Sequence, residues 1–107
     1  MTEEERALRR QTARLVDRVS YWTPSRWAAS SASGRSHADV VHGLVQRIAD
    51  LAAAAEGQPH RTVPRLDRDI GLPDQLRVVA ADLAAAGPEP AVLLRATELV
   101  AVVRREL

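Results

Sequence analysis

The sequence predicts an all-α fold, a four-helix, mostly antiparallel bundle with a short extra helix after the first long one. Three observations carry it. Apolar residues recur at steps of three and four in four separate stretches. Cap residues, prolines and glycines fall where those stretches start and stop. The chain's 107 residues are enough for one core but not for two, so residues 1–107 form a single domain.

The first helix opens at Thr2, with Glu5 three positions on, a capping-box spacing, and is expected over 3–22. Leu8, Thr12, Leu15, Val19 and Trp22 fall on one stripe that Val16 broadens, and this stripe faces the core. Arg6, Arg10, Arg14 and Arg18 step by four along the opposite side, offset by the acidic first turn and Asp17. Like charges at that spacing cost ~0.2–0.5 kcal/mol per pair, so the ridge reads as a solvated face, with phosphate contact as the alternative.

Thr23-Pro24 ends this helix and starts a short one to about Ser30, because the residue before proline is held extended while threonine caps a turn that proline begins. Ser30-Ser31-Ala32-Ser33-Gly34-Arg35 reads as a small, polar, flexible loop. Ser36 and Asp39 then open a helix over 37–56 that Gly57 ends. Its stripe is Val41, Leu44, Ile48, Leu51 and Ala55, widened by Val40, Val45 and Ala52, and the run Ala52 to Ala55 permits close approach of a neighbour.

From Gln58 to Leu72 the periodicity breaks, with Pro59 and Pro64 inside. A loop of that length in a small domain is expected to be packed or functional, and Val63, Leu66, Ile70 and Leu72 are the residues to pin it across the helix ends. Pro73 opens a helix over 73–86 with Leu76, Val79, Leu83 and Ala86 on its stripe, stopped by Gly87 and Pro88. Pro90 opens the last helix, over 90–106, whose main face is Val92, Ala96, Leu99, Val100, Val103 and Leu107. Leu94 and Val102 fall off that face and Val78 off the preceding one, which points to a second covered surface and hence to self-association as a homodimer.

Composition narrows the function. All basic charge is arginine, the formal net charge is +1 and the pI is about 8.5, far from the dense positive field of a nucleic-acid binder. Without cysteine there is no disulfide, thiolate nucleophile or cysteine-ligated metal. The acidic start Thr2-Glu3-Glu4-Glu5 is unlike a secretory leader, and no apolar run approaches the ~20 residues needed to span a bilayer, so a cytoplasmic location is expected.

The helix expected from His37 is net acidic at Asp39, Gln46, Arg47, Asp50 and Glu56, and a serine-rich loop replaces the tight turn of a helix-turn-helix. His37 and His42 are five apart, so their rings diverge by about 140° on a helix and do not share a metal. Asp39, His42 and Gln46 share a face, and Asp67, Asp69, Asp74 and His60 form a second polar group. A solvated face explains the first, and ion pairs with Arg61, Arg65 and Arg68 explain the second more simply than metal binding or acid–base chemistry. Phosphate loops, Gly-x-Ser-x-Gly elbows and His-Glu-x-x-His motifs are absent. No cofactor is expected.

Every aromatic residue lies in Tyr21-Trp22-Thr23-Pro24-Ser25-Arg26-Trp27. Tryptophan, tyrosine and arginine are the side chains enriched at interface hot spots, and bulky rings also make corners. Trp22 continues the core stripe of the first helix, so Trp22 is expected inside and Trp27 with Arg26 outside. The function read from the sequence is a non-catalytic protein-interaction or adaptor module. Its partner contacts are Trp22, Arg26, Trp27, Arg65, Asp67, Arg68 and Asp69, and Val78, Leu94 and Val102 carry self-association. A nucleic-acid regulator using Arg6, Arg10, Arg14 and Arg18 is the alternative, and a metal-binding or enzymatic bundle the third reading.

Overall fold

The structure, a computed structural model, describes all residues 1–107. Thr2 caps α1 (Glu3–Val19), its hydroxyl oxygen accepting the Glu5 N–H at 3.1 Å. Thr23 caps α2 (Pro24–Ala28) by accepting from Arg26 N–H at 3.3 Å, with Pro24 at the first position where its missing N–H costs nothing. Ser36 caps α3 (His37–Ala55) through the Asp39 N–H at 3.0 Å. Prolines start the remaining two, α4 (Leu72–Ala85) and α5 (Pro90–Glu106), and a single 3-10 turn over Asp69–Gly71 leads into α4. Gly57 and Gly87 end α3 and α4 in left-handed geometry at φ +70° and +61°, where a side chain is strained.

The expected all-α bundle is thus what forms. The stripe of α1 is buried at Leu8, Thr12, Leu15, Val16 and Val19, and one core of 20 residues draws on all four long helices and Trp27. On α3 the buried face runs from His37 to Ala52, while Ala55 is exposed. On α4 Leu76 and Leu83 are buried as expected, with Ala80 buried and Val79 half-buried beside them, and on α5 Ala96, Leu99, Val100 and Val103 are buried as expected, with Leu93 added and Val92 half-buried at the edge of the core.

The long connection explains how the helices are ordered. It leaves α3 at Ala55 and returns beside it as a strap, so α4 starts at the end where α3 started. Consequently α3 and α4 run one way and α1 and α5 the other: antiparallel between the pairs, parallel within each. Packing is most extensive between α3 and α4 and between α1 and α5, and sparser between α1 and α4 and between α3 and α5. The last two helices, though consecutive, therefore lie on a diagonal.

The strap has no backbone ladder, and side chains hold it instead. Gln46 donates from Nε2 to the Arg61 carbonyl at 3.0 Å and accepts the Val63 N–H at 2.7 Å, imitating a neighbouring strand. His42 Nε2 donates to the Val63 carbonyl at 3.0 Å, and Gln75 on α4 donates to the Pro64 carbonyl at 3.0 Å. The expected apolar pins are half right: Val63 packs on the core and Leu72 is buried, but Leu66 and Ile70 remain exposed at 43% and 65%. Pinning runs along α3 rather than across helix ends because polar side chains on that face reach the strap's backbone.

The serine-rich stretch, expected as a flexible loop, is closed on itself. Ser30 bridges Ser36, Ser31 N–H bonds the Arg35 carbonyl at 2.7 Å, and Gly34 turns the chain at φ +85°. The end of α5 docks here, its Glu106 carbonyl accepting the Ala32 N–H at 3.3 Å.

Candidate partner-binding cleft

The aromatic heptapeptide and the end of the strap meet at one end of the bundle. Trp22, Pro24 and Trp27 form one side of an open cleft of about 360 Å³, and Asp67, Arg68, Asp69 and Ile70 form the other. Two segments separated by some forty residues, both named by composition alone, are brought together by the returning strap.

Within the cleft the two tryptophans exchange the roles expected of them. Trp27 is 1% exposed and belongs to the core, whereas Trp22 is partly exposed and packs at its edge. The reason is local: α1 stops at Val19, so Trp22 no longer follows the helical stripe, and the turn made by Trp22 N–H to the Val19 carbonyl swings it aside. Trp27 lies one turn into α2 and is the single buried residue of that helix, anchoring it to the bundle. Its indole Nε1 is buried without an acceptor. The rings meet edge to face at 5.1 Å and 65°, the geometry favoured by aromatic quadrupoles. Arg26 is exposed as expected, its guanidinium 4.9 Å from the Trp22 ring centre in a cation–π contact. Tyr21 projects beside them, 95% exposed.

His37 is the residue of this site that the sequence pattern does not reveal. It is buried, lies 4.8 Å from the Trp22 ring centre, and bonds the Arg26 carbonyl through Nδ1 at 2.9 Å. A carbonyl accepts, so Nδ1 carries the proton. With its own N–H bound to the Ala29 carbonyl at 2.9 Å, His37 ties α2 to α3. Its position directly after the Ser36 cap is the signal that it faces the preceding segment.

Arg65 latches the other wall. Its guanidinium reaches Asp39 on α3 at 2.8 Å and Asp69 at 3.4 Å. Hydrogen bonding to Arg65 holds the Asp39 carboxyl below the usual aspartate range, and the same bond with Asp39 raises Arg65. Arg65 therefore positions the cleft, while Asp67 and Arg68 form no ion pair in the chain.

The remaining candidate residues lie elsewhere. Arg6 and Arg10 both bind Glu3, at 3.3 and 3.2 Å, and hold its carboxyl below the usual glutamate range, so half of the arginine ridge is already engaged. Leu94 and Val102 are exposed two turns apart on α5, but Val78 stands on α4, diagonally across the bundle, so the three do not form one patch. Asp39, His42 and Gln46 are taken up by the strap, and His60 faces Asp50 at 3.8 Å rather than Asp67 or Asp69. No group of three histidine, aspartate or glutamate side chains is placed to hold a metal ion. No helix is long and apolar enough to cross a membrane.

The chain matches no protein-family model, no curated protein and no solved structure.

Proposed function

We propose that this chain is a non-catalytic protein-interaction module that docks a partner protein at the aromatic end of the bundle. One observation carries the reading: a partly exposed tryptophan, an exposed isoleucine and unpaired charges share one cleft. Trp22 and Ile70 offer an apolar seat, and Arg68 and Asp67 offer the polar rim that fixes register, as at interface hot spots. Trp27 supports this surface from below. Arg26 and Arg65 position it, one through the face of Trp22 and the other through Asp69.

Self-association belongs to the same proposal, with one adjustment. A closed two-fold dimer uses the same patch on both copies, so Leu94 and Val102 on α5 carry it and Val78 does not.

The test is chemical cross-linking in the cells that make the protein, followed by recovery of wild-type and variant chains. Ile70→Asp with Arg68→Glu, both at exposed positions, is expected to lose the cross-linked partner while the fold is retained. Recovery of the same partner in the same yield would refute docking at this cleft. Light scattering is expected to give a dimer mass that falls to the monomer in Leu94→Asp/Val102→Asp and is unchanged in Val78→Asp. A monomer at all concentrations would remove the self-association.

A further inference from the structure

The outward face of α5 has a heptad pattern. At about 100° per residue, Ala91, Glu98 and Arg105 follow its centre line, Leu94 and Ala101 one flank, and Arg95 and Val102 the other. All of these are exposed except Ala101, which is half-buried, and Leu94 and Val102 are 53% and 48% exposed. The core face of the same helix, Leu93, Ala96, Leu99, Val100 and Val103, looks the opposite way. α5 therefore presents a second seam to its surroundings.

The charges on this seam are uncommitted. Arg95 and Glu98 stand one turn apart, a spacing at which opposite charges can meet, yet neither they nor Arg105 forms an ion pair within the chain. Their order along the helix is self-complementary. Reversing α5 about a point midway between Ala96 and Thr97 exchanges Arg95 with Glu98 and Ala91 with Val102, and brings Leu94 within about 3 Å of the level of Ala101. A two-fold axis across the helix keeps each flank on its own side, so Ala91 meets Val102 on one flank and Leu94 meets Ala101 on the other. Run in the same direction, two such seams would set Glu98 level with Glu98 and Arg105 level with Arg105.

The geometry points to a homodimer in which two α5 helices pack antiparallel, with Ala91 against Val102 and Arg95 against Glu98 of the second copy. This pairing rests on the self-association already proposed and adds its direction and register. The apolar flanks hold the two helices together. Exposed ion pairs contribute little strength, but they select the antiparallel direction, which sets each arginine level with a glutamate where the parallel one sets like beside like. From Ala91 to Arg105 the seam rises roughly 21 Å, short for a stable interface, so the dimer is one that dissociates on dilution.

Because the chain has no cysteine, the direction can be read by cross-linking. Ala91→Cys and Val102→Cys, both at exposed positions, are purified separately and oxidised singly and as a mixture, while light scattering over a dilution series follows the dimer. The mixture is expected to form a disulfide linking positions 91 and 102. Each variant alone should stay uncross-linked, since like positions lie roughly 16 Å apart along the pair and a disulfide needs Cα atoms within about 7 Å. Glu98→Arg should weaken the dimer roughly three- to tenfold, and Arg95→Glu/Glu98→Arg should restore it. A disulfide in Ala91→Cys alone would make the pair parallel and overturn the proposal. A wild-type dimer without the mixed disulfide, or one whose affinity Glu98→Arg leaves unchanged, would refute the register and leave self-association standing. A monomer at every concentration would remove self-association and the pairing with it.

Discussion

Trp27→Ala is the sharpest test of how this end of the bundle is built. The ring is 1% exposed and is the single buried residue of α2, packed against Trp22. Truncating a buried tryptophan costs about 3–5 kcal/mol, through lost transfer energy and the cavity left behind. Against a total stability of about 5–15 kcal/mol for a domain this size, that is about a fifth or more of what holds the chain folded. At about 4–8 °C per kcal/mol, the melting temperature should fall by roughly 12–40 °C. Trp22→Ala should cost less, about 1–2 kcal/mol, since it removes a partly exposed ring and one aromatic pair. The assay is urea denaturation followed by helical circular dichroism for both variants. Fluorescence of Trp22→Phe isolates Trp27, whose emission should be blue-shifted until the chain unfolds. If Trp27→Ala lies within about 1 kcal/mol of wild type, or costs less than Trp22→Ala, the assignment of Trp27 to the core is wrong.

Gln46→Ala removes the amide that bonds both the Arg61 carbonyl and the Val63 N–H. At about 0.5–1.5 kcal/mol per hydrogen bond the loss should be about 1–3 kcal/mol, with faster proteolysis confined to residues 58–66 and unchanged helix content. Equal cleavage rates in variant and wild type would mean that the strap is held by other contacts. Asp39→Asn tests the Arg65 latch through pH. Because Arg65 lowers the Asp39 carboxyl in the folded chain, its contribution is complete above the unfolded value of about 3.9 and is lost as pH falls through the depressed folded value. Wild type should therefore melt above Asp39→Asn at neutral pH by a small margin, suited to an exposed pair, and the two should converge as pH falls below the depressed folded value. A difference that persists or grows in acid would contradict the ion-pair origin.

The parts of the fold legible in the sequence are those fixed locally. Thr2, Thr23 and Ser36 cap helices because each is within three residues of the N–H it accepts. The stripe of Leu8, Thr12, Leu15 and Val19 follows from helical periodicity alone, and it failed at Trp22 because α1 had already ended. Leu94 and Val102 fall off the stripe of α5 by periodicity and are exposed, but no local rule says that α4 and α5 lie on a diagonal, which is what separates Val78 from them. For the candidate site, residue type identified both walls of the cleft. Their meeting depends on contacts 15 to 26 residues apart in sequence, Gln46 with Arg61 and Asp39 with Arg65, to which periodicity is blind.

One signal for that meeting was present in the chain's length. The 19 residues of α3 rise roughly 28 Å, and the connection from Glu56 to Gly71 can reach roughly 50 Å when extended. A connection only long enough to turn would have placed α4 antiparallel to α3 and left Asp67 to Ile70 at the far end of the bundle from the tryptophans. One long enough to retrace the helix starts α4 at the Trp22 end, and Pro59 and Pro64, which cannot donate to a ladder, keep the returning segment from pairing as a strand. It must then be held by side chains, which is what Gln46, His42, Asp39 and Gln75 do. The cleft is thus a product of the strap, and weakening those side chains should loosen the wall formed by Asp67 to Ile70 before it disturbs the core beneath Trp22.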